Sequence, residues 1–270
     1  MDALYLYCIR KKNIFLPFLA QGLEEKKEIF AIPYKKIEAV VSRISVEDFS
    51  SDEIKIKAQE NLNWIKEKIL IHEKVIEEAM KKDDVTLSVI PMKFGTIFTE
   101  EKRLLETLDK HYLQFRTALD KLEGKEEWSV KIYLSDKKKF EEIIKTNCGT
   151  IKEYQNKIAG LPEGLAYFHE LELKEVISNE IEQKLEDIKK EIFFEMKLDT
   201  EEAKECKLLE KEITGRVEPM ILNSSFLISD KMVNQFIQKA ERKNKELNIK
   251  GLVLEFSGPW PPYYFSEQYV

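Results

Sequence analysis

Glycine and proline are scarce in this chain of 270 residues, at 9 and 8, which excludes collagen-like repeats and linker-dominated architectures. Cysteine and histidine number only three each. Cys8, Cys148 and Cys206 lie far apart and no pair has metal-ligand spacing, so reduced thiols, buried as small apolar groups, are expected. Apolar runs such as Ile14 to Ala20 are short against the roughly 20 residues that cross a bilayer, and no membrane span is expected. No basic region precedes an apolar stretch after Met1 and Asp2, so no signal peptide is expected and the chain reads as cytoplasmic. A basic excess is missing too. The balance is 44 basic against 50 acidic residues, net −6, the reverse of what a nucleic-acid binder needs to replace counterions. What is present is 43% hydrophobic residues, enough for one large core or two modest ones.

Periodicity supplies the fold class. Leu4 to Ile9 reads as a buried strand, and Phe30 to Tyr34 and Ile37 to Ile44 as two more, with the Lys35-Lys36 gap predicting a hairpin. Ile54, Ala58, Leu62, Ile65, Ile69, His72, Ile76 and Met80 then recur at helical spacing and predict one long helix, with Ser50, Ser51 and Asp52 as capping candidates. Val85 to Ile90 reads as a strand ending at Pro91. A second helix is predicted over about 100–122 on the stripe Leu104, Leu108, His111, Phe115, Leu119 and Leu122, closed by Gly124. This order predicts helices covering one face of a sheet.

A new pattern begins at Trp128, where Trp128, Val130, Ile132 and Leu134 alternate with Ser129, Lys131 and Tyr133. We therefore expect two α+β domains, 1–124 and 125–270. The second reads strand, helix, helical insertion over about 164–210, strands within 213–229, helix, strand. Without the insertion that is βαββαβ, the ferredoxin-like order. Leu173, Ile177, Ile181, Leu185, Ile188 and Ile192 hold helical spacing inside the insertion. A break at Leu198 to Thr200, capped by Asp199 or Thr200, is expected to start a last helix through Leu209.

Motifs of chemistry are absent. Gly160 and Gly164 are the close glycine pair, and no Gly-Lys-Ser/Thr follows; no Gly-x-Ser-x-Gly occurs. His72, His111 and His169 lack partners at metal-binding spacing. His72 and His111 fall on apolar helical stripes and are expected as core histidines that bind no metal. The carboxylates are interleaved with lysine on polar helix faces. No cofactor, no metal and no catalytic residue is assigned, and the chain reads as a non-enzyme.

Two segments remain. Val89-Ile90-Pro91-Met92-Lys93-Phe94-Gly95-Thr96-Ile97-Phe98 reads structurally as a strand exit pinned by aromatics, because Pro91 cannot donate to a ladder and Gly95 permits a positive φ. It also reads as a rigid contact loop bearing Lys93. The C-terminal Phe256-Ser257-Gly258-Pro259-Trp260-Pro261-Pro262-Tyr263-Tyr264-Phe265 is too aromatic to leave in water. It is expected to fold back on the second domain with an outer face still able to present Trp260.

On these residues the chain resembles the gas vesicle GvpF/GvpL family. The resemblance is carried in order by Leu4-Tyr5-Leu6-Tyr7, His72-Glu73, Pro91 to Phe98, Glu127-Trp128-Ser129-Val130-Lys131-Ile132-Tyr133, Phe226-Leu227-Ile228 and Gly258-Pro259-Trp260-Pro261-Pro262-Tyr263-Tyr264-Phe265. Lys93 stands where members often carry Arg, which keeps the charge and weakens a bidentate contact. The insertion matches poorly, and the F and L branches are not separated. The resemblance implies a minor accessory component of gas vesicles, located there, that partners the major shell protein GvpA, with other accessory proteins as further candidates. It carries over no catalytic residue or cofactor. A permanent shell constituent and a ligand-binding or enzymatic module on a ferredoxin-like fold remain alternatives. Phe94, Trp260 and Tyr264 are the candidate partner anchors, with Lys93 at the rim.

Overall fold

The computed structural model describes residues 2–12, 18–24, 27–49, 51–82 and 85–266. The chain divides into two compact units, Met1–Glu127 with Pro259–Val270, and Trp128–Gly258.

The first unit is built on strands β1 (Asp2–Lys11), β2 (Ile29–Tyr34) and β3 (Ile37–Ser45). The short α1 (Val46–Phe49) follows, then α2 (Ser51–Glu60) and α3 (Leu62–Met80). A two-residue ladder, β4 (Lys81–Lys82) with β5 (Val85–Thr86), leads to β6 (Val89–Pro91) and β7 (Ile97–Phe98). Helices α4 (Glu101–Lys110) and α5 (Tyr112–Leu122) close the run. The sheet order is β2-β3-β1-β6, with β7 also on β1. The β2–β3 hairpin turns at Lys35-Lys36 as the sequence predicts. Lys35 takes φ +52 there, the left-handed region that two-residue hairpin loops use.

Alternation along β1 builds two cores. Ala3, Tyr5 and Tyr7 pack with Val75, Ile76 and Ala79 of α3 on one face. Leu4 and Leu6 pack with Leu104, Leu108, Phe115 and Leu119 on the other. The register against β3 shifts between Leu6 and Cys8. That bulge moves Cys8 onto the α3 side and Ile9 onto the α4–α5 side, against strict alternation. Helices thus cover both faces of this sheet, not one, which is why β1 is apolar at nearly every position.

Both long helices are interrupted where the stripes read straight through. Asn61 separates α2 from α3, and its side chain accepts from the Trp64 N–H at 3.0 Å. An Asx side chain that takes an orphan N–H starts a new helix, a local bond that apolar spacing does not reveal. His111 separates α4 from α5, here without a side-chain cap hydrogen bond. Ser50 and the side chains of Ser51, Asp52 and Ala58 lie outside the described residues.

The second unit contains β8 (Lys125–Leu134), whose first residues lie in the other unit, then α6 (Lys137–Asn147), α7 (Gly149–Ala159) and the 35-residue α8 (Glu163–Lys197). It continues through β9 (Glu202–Glu205), α9 (Lys211–Thr214) and β10 (Met220–Ser229). A 3-10 turn (Asp230–Met232), α10 (Val233–Ile249) and β11 (Leu252–Trp260) complete the order. Its sheet order is β11-β8-β10-β9. Numbered as βαββαβ, that is 4-1-3-2, the ferredoxin-like arrangement. Trp128, Val130, Ile132 and Leu134 pack with Phe140, Ile188, Phe236 and Leu254 in one core.

The expected helix after Asp199 is instead the edge strand β9, paired antiparallel with β10 from Glu202↔Leu227 to Glu205↔Ser224. Helix-favouring Glu, Ala and Lys are overridden by the open edge of β10, and their charges keep the new edge from pairing further.

Candidate site where the family segments converge

Four of the six ordered segments that carry the resemblance meet in the first unit, while Trp128 to Tyr133 and Phe226-Leu227-Ile228 lie in the second. β1 supplies Tyr5 and Tyr7, α3 supplies His72 and Glu73, and Pro91 to Phe98 runs beside β1. The backbone first ties the loop down: Met92 N–H donates to Tyr7 O at 2.8 Å, and Leu6 N–H to Thr96 O at 2.9 Å.

Side chains then lock it. Tyr5 Oη lies 2.9 Å from His72 Nδ1, and His72 Nε2 lies 3.1 Å from Met92 O. A carbonyl only accepts, so Nε2 carries the ring proton and Nδ1 receives the Tyr5 hydroxyl. Tyr5 in turn accepts from the Gly95 N–H at 3.0 Å. Gly95 adopts φ +86, the conformation expected of it. Phe94 packs edge-on to His72 and Tyr5, with ring centroids 5.7 and 6.1 Å away. Burial lowers the His72 pKa to about 4 and raises that of Tyr5. The ring is therefore neutral at pH 7, with both nitrogens engaged inside the protein. A ligand role for it would require breaking one of these bonds. Among the described residues, no three His, Cys, Asp or Glu side chains gather to hold a metal.

The C-terminal tail joins the same cluster. Short helix α11 (Tyr263–Ser266) packs its Tyr263 on the α3-side core, and the Tyr263 hydroxyl donates to Glu73 Oε1 at 2.7 Å. The Tyr264 N–H donates to Glu127 Oε2 at 3.2 Å, and Glu127 is buried. Pro261, Pro262, Phe265 and Ser266 are also buried. The expectation that the tail docks on the second domain is thus corrected. The acceptors of the Tyr263 hydroxyl and the Tyr264 N–H, Glu73 and Glu127, both belong to the first unit. Trp260 and Tyr264 stay 42% and 40% exposed on this buried base.

The four candidate anchors do not form one patch. Phe94 is half-buried on the His72 side of the sheet. Lys93 is exposed at the rim of a cavity of about 300 Å³ on the α4–α5 side, lined by Leu6, Met92, Phe98, Leu104 and Leu108. His111 lines that cavity as well, half-exposed, with Nδ1 2.6 Å from Gln114 Oε1. It is a surface histidine between helices, not the expected core residue. His111 was missed as a lining residue because apolar spacing placed it on a core stripe, and Phe98 because it read as an aromatic pinning the strand exit. Of the thiols, Cys8 is buried as expected, whereas Cys148 and Cys206 are half-buried.

A two-unit α+β protein, ferredoxin-like in its second unit and with the tail segment Pro261 to Ser266 returned to the first, is the class these elements define. The family model described as gas vesicle synthesis protein GvpL/GvpF matches residues 3–267, and the chain belongs to that family. Gas vesicle protein F of Nostoc sp. is 25% identical over 200 residues, covering 74% of this chain and 77% of its own. Gas vesicle protein F1 of Halobacterium salinarum is 22% identical over 271 residues, covering 100% and 95%. The fold is shared with the crystal structure of the gas vesicle protein GvpF from Anabaena sp., at TM-score 0.75, 22% identity and 98% coverage of both chains. The GvpF structure from Microcystis aeruginosa gives 0.68, at 18% identity and 98% coverage of both chains. The role is gas-vesicle-associated, and the family is one of structural and assembly proteins, not enzymes. Both F and L proteins are among the relatives. No helix among the described residues is long and apolar enough to cross a membrane.

Proposed function

We propose that this protein binds the major gas vesicle shell protein GvpA and assists vesicle assembly by covering apolar shell-protein surface before it is incorporated. A shell that holds gas needs subunits with an apolar face, and such a face aggregates in water unless covered. The observation that supports the reading is the tail. Buried Pro261, Pro262 and Phe265 form a fixed base from which Trp260 and Tyr264 remain exposed. Pre-ordered aromatics lose little entropy when a partner covers them, the property of interface anchors. Other gas vesicle accessory proteins are further candidate partners of the same surface.

The test is co-purification of GvpA with the wild type and with Trp260→Ala, after circular dichroism confirms that the variant folds. We expect capture by the wild type and at least about tenfold weaker capture by the variant, the loss typical of an aromatic hot spot. No capture by the wild type, alone or with the other vesicle proteins present, overturns the reading. Equal capture by a folded variant removes Trp260 from the interface and leaves the partner. Retention of the protein in washed, intact vesicles would make it a permanent constituent of the shell instead.

A further inference from the structure

The Lys93 cavity does not end at Lys93. A second depression of about 550 Å³ shares Phe98 and Thr107 with it and continues along α4 past Arg103 and Lys110. The two form one groove on the α4 side of the first unit. Its floor is apolar, from Leu6, Met92, Phe98, Leu104 and Leu108. Its edge is cationic, from Lys93, Arg103 and Lys110, and none of the three has a carboxylate within ion-pair distance among the described residues. Glu106 is the carboxylate along this edge, 3.9 Å from Lys102. An unpaired cationic edge runs against the balance of a chain with net charge −6.

We propose that this groove receives an apolar helical segment of the shell protein, flanked by acidic side chains. This rests on the proposed binding of GvpA and adds a second contact surface to the exposed Trp260 and Tyr264. Apolar anchors of an amphipathic helix enter such a groove at helical spacing, and the ends of the segment are read by charge. A floor of buried leucines, a methionine and a phenylalanine favours branched or aromatic anchors. Unpaired Lys and Arg at the edge favour carboxylates and disfavour a basic segment, so charge sets the orientation of the docked helix. The cavity at Lys93 is at the lower limit of small-ligand sites, about 300 Å³. That size suits an anchoring side chain. The position of Lys93 in the Pro91-to-Phe98 segment gains a reason: the His72 lock on one side of the sheet holds the groove wall on the other.

Two variants test it without touching the buried floor. The triple charge reversal Lys93→Glu, Arg103→Glu, Lys110→Glu alters the edge, and Thr107→Trp fills the groove from a half-buried position on α4. Circular dichroism first confirms folding of both. The first probe is 8-anilinonaphthalene-1-sulfonate, an apolar ring system with an anionic group. We expect saturable fluorescence with the wild type that weakens about tenfold in each variant and falls with added salt, as an edge built on charge requires. The second probe is purified GvpA, with the same ordering expected. Dye binding that is absent from the wild type or unchanged in both variants overturns the groove. GvpA binding by the wild type that both variants retain overturns GvpA as its occupant and leaves the proposed function standing. Absence of GvpA binding by the wild type ends both.

Discussion

The Tyr263 hydroxyl donates a 2.7 Å hydrogen bond to Glu73 Oε1, linking positions 190 residues apart in one unit. Burial raises the Glu73 pKa, and the Tyr263 bond works against that rise by stabilising the carboxylate. The bond therefore matters most when Glu73 is ionised.

Tyr263→Phe should destabilise the first unit by about 1–2 kcal/mol at pH 7, because it leaves a carboxylate oxygen without its donor. The sign of the pH effect follows. Glu73 has a folded pKa above its unfolded value, so its contribution favours folding at low pH and is lost as pH rises through the folded pKa. Removing the donor raises that pKa further. The penalty of Tyr263→Phe should thus shrink as pH falls from 7 toward 4. Urea unfolding of both proteins at several pH values measures it. A penalty that grows toward pH 4 contradicts the bond as described.

His72 predicts the opposite slope. Its pKa is about 4 when folded, against an ordinary 6.5. Below 6.5 the unfolded chain takes up a proton that the folded one refuses, so this contribution is full above 6.5 and lost as pH falls through the window to 4. At about 1.4 kcal/mol per unit, His72 accounts for about 3 kcal/mol of that loss. His72→Gln keeps a donor for the Met92 carbonyl and does not titrate. It should be less stable than the wild type at pH 7, and the gap between them should close on acidification. Parallel stability curves for the two proteins would show that the ring is not held neutral.

The thiols give a chemical check on burial. Cys8 lies at the β1 bulge, fully buried, and its thiol is pushed up to about 12. Reaction needs the thiolate and access, and Cys8 has neither in the native state. Ellman's reagent should modify Cys148 and Cys206 in the native protein and Cys8 only on unfolding. Rapid modification of all three would mean that β1 is less enclosed than described.

Much of the architecture was legible because it depends on local pattern. The alternation of Trp128, Val130, Ile132 and Leu134 and the Lys35-Lys36 hairpin emerge as read. The ferredoxin-like sheet of the second unit also emerges, but its second strand is Glu202–Glu205, inside the expected insertion, and only β10 falls within 213–229. What was not legible depends on partners distant in sequence. Glu202–Glu205 is a strand only because β10 offers it an edge. The bulge at Tyr7–Cys8 shows only in the register with β3. The tail's destination was hidden because Tyr263 needs an acceptor, and nothing local says that it is Glu73. The site was half visible: the segments were recognisable one by one, whereas Lys93 and Phe94 face opposite sides of a sheet and so serve different ends. His111 shows the cost of extending an apolar stripe through a helix break.

The turn from α10 into β11 offers the sharpest test of the second unit. Gly251 adopts φ +81, and a Cβ there would come within 2.6 Å of the Asp136 carbonyl oxygen. That contact is with backbone and has no flexible end to move. It is also reciprocal, because the Asp136 N–H donates to Gly251 O at 2.9 Å. The Asp136 side chain meanwhile caps α6 through the Lys139 N–H at 3.0 Å. Gly251→Ala must strain its own backbone and also push the α6 cap away from the start of β11. The left-handed conformation alone costs about 1 kcal/mol or more. Displacing the cap adds about 1 kcal/mol. We expect Gly251→Ala to lower stability by more than about 2 kcal/mol in urea. Asp136→Ala, which removes the cap alone, should cost about half as much. If Gly251→Ala costs no more than Asp136→Ala, the close approach of the two backbones is not present in solution.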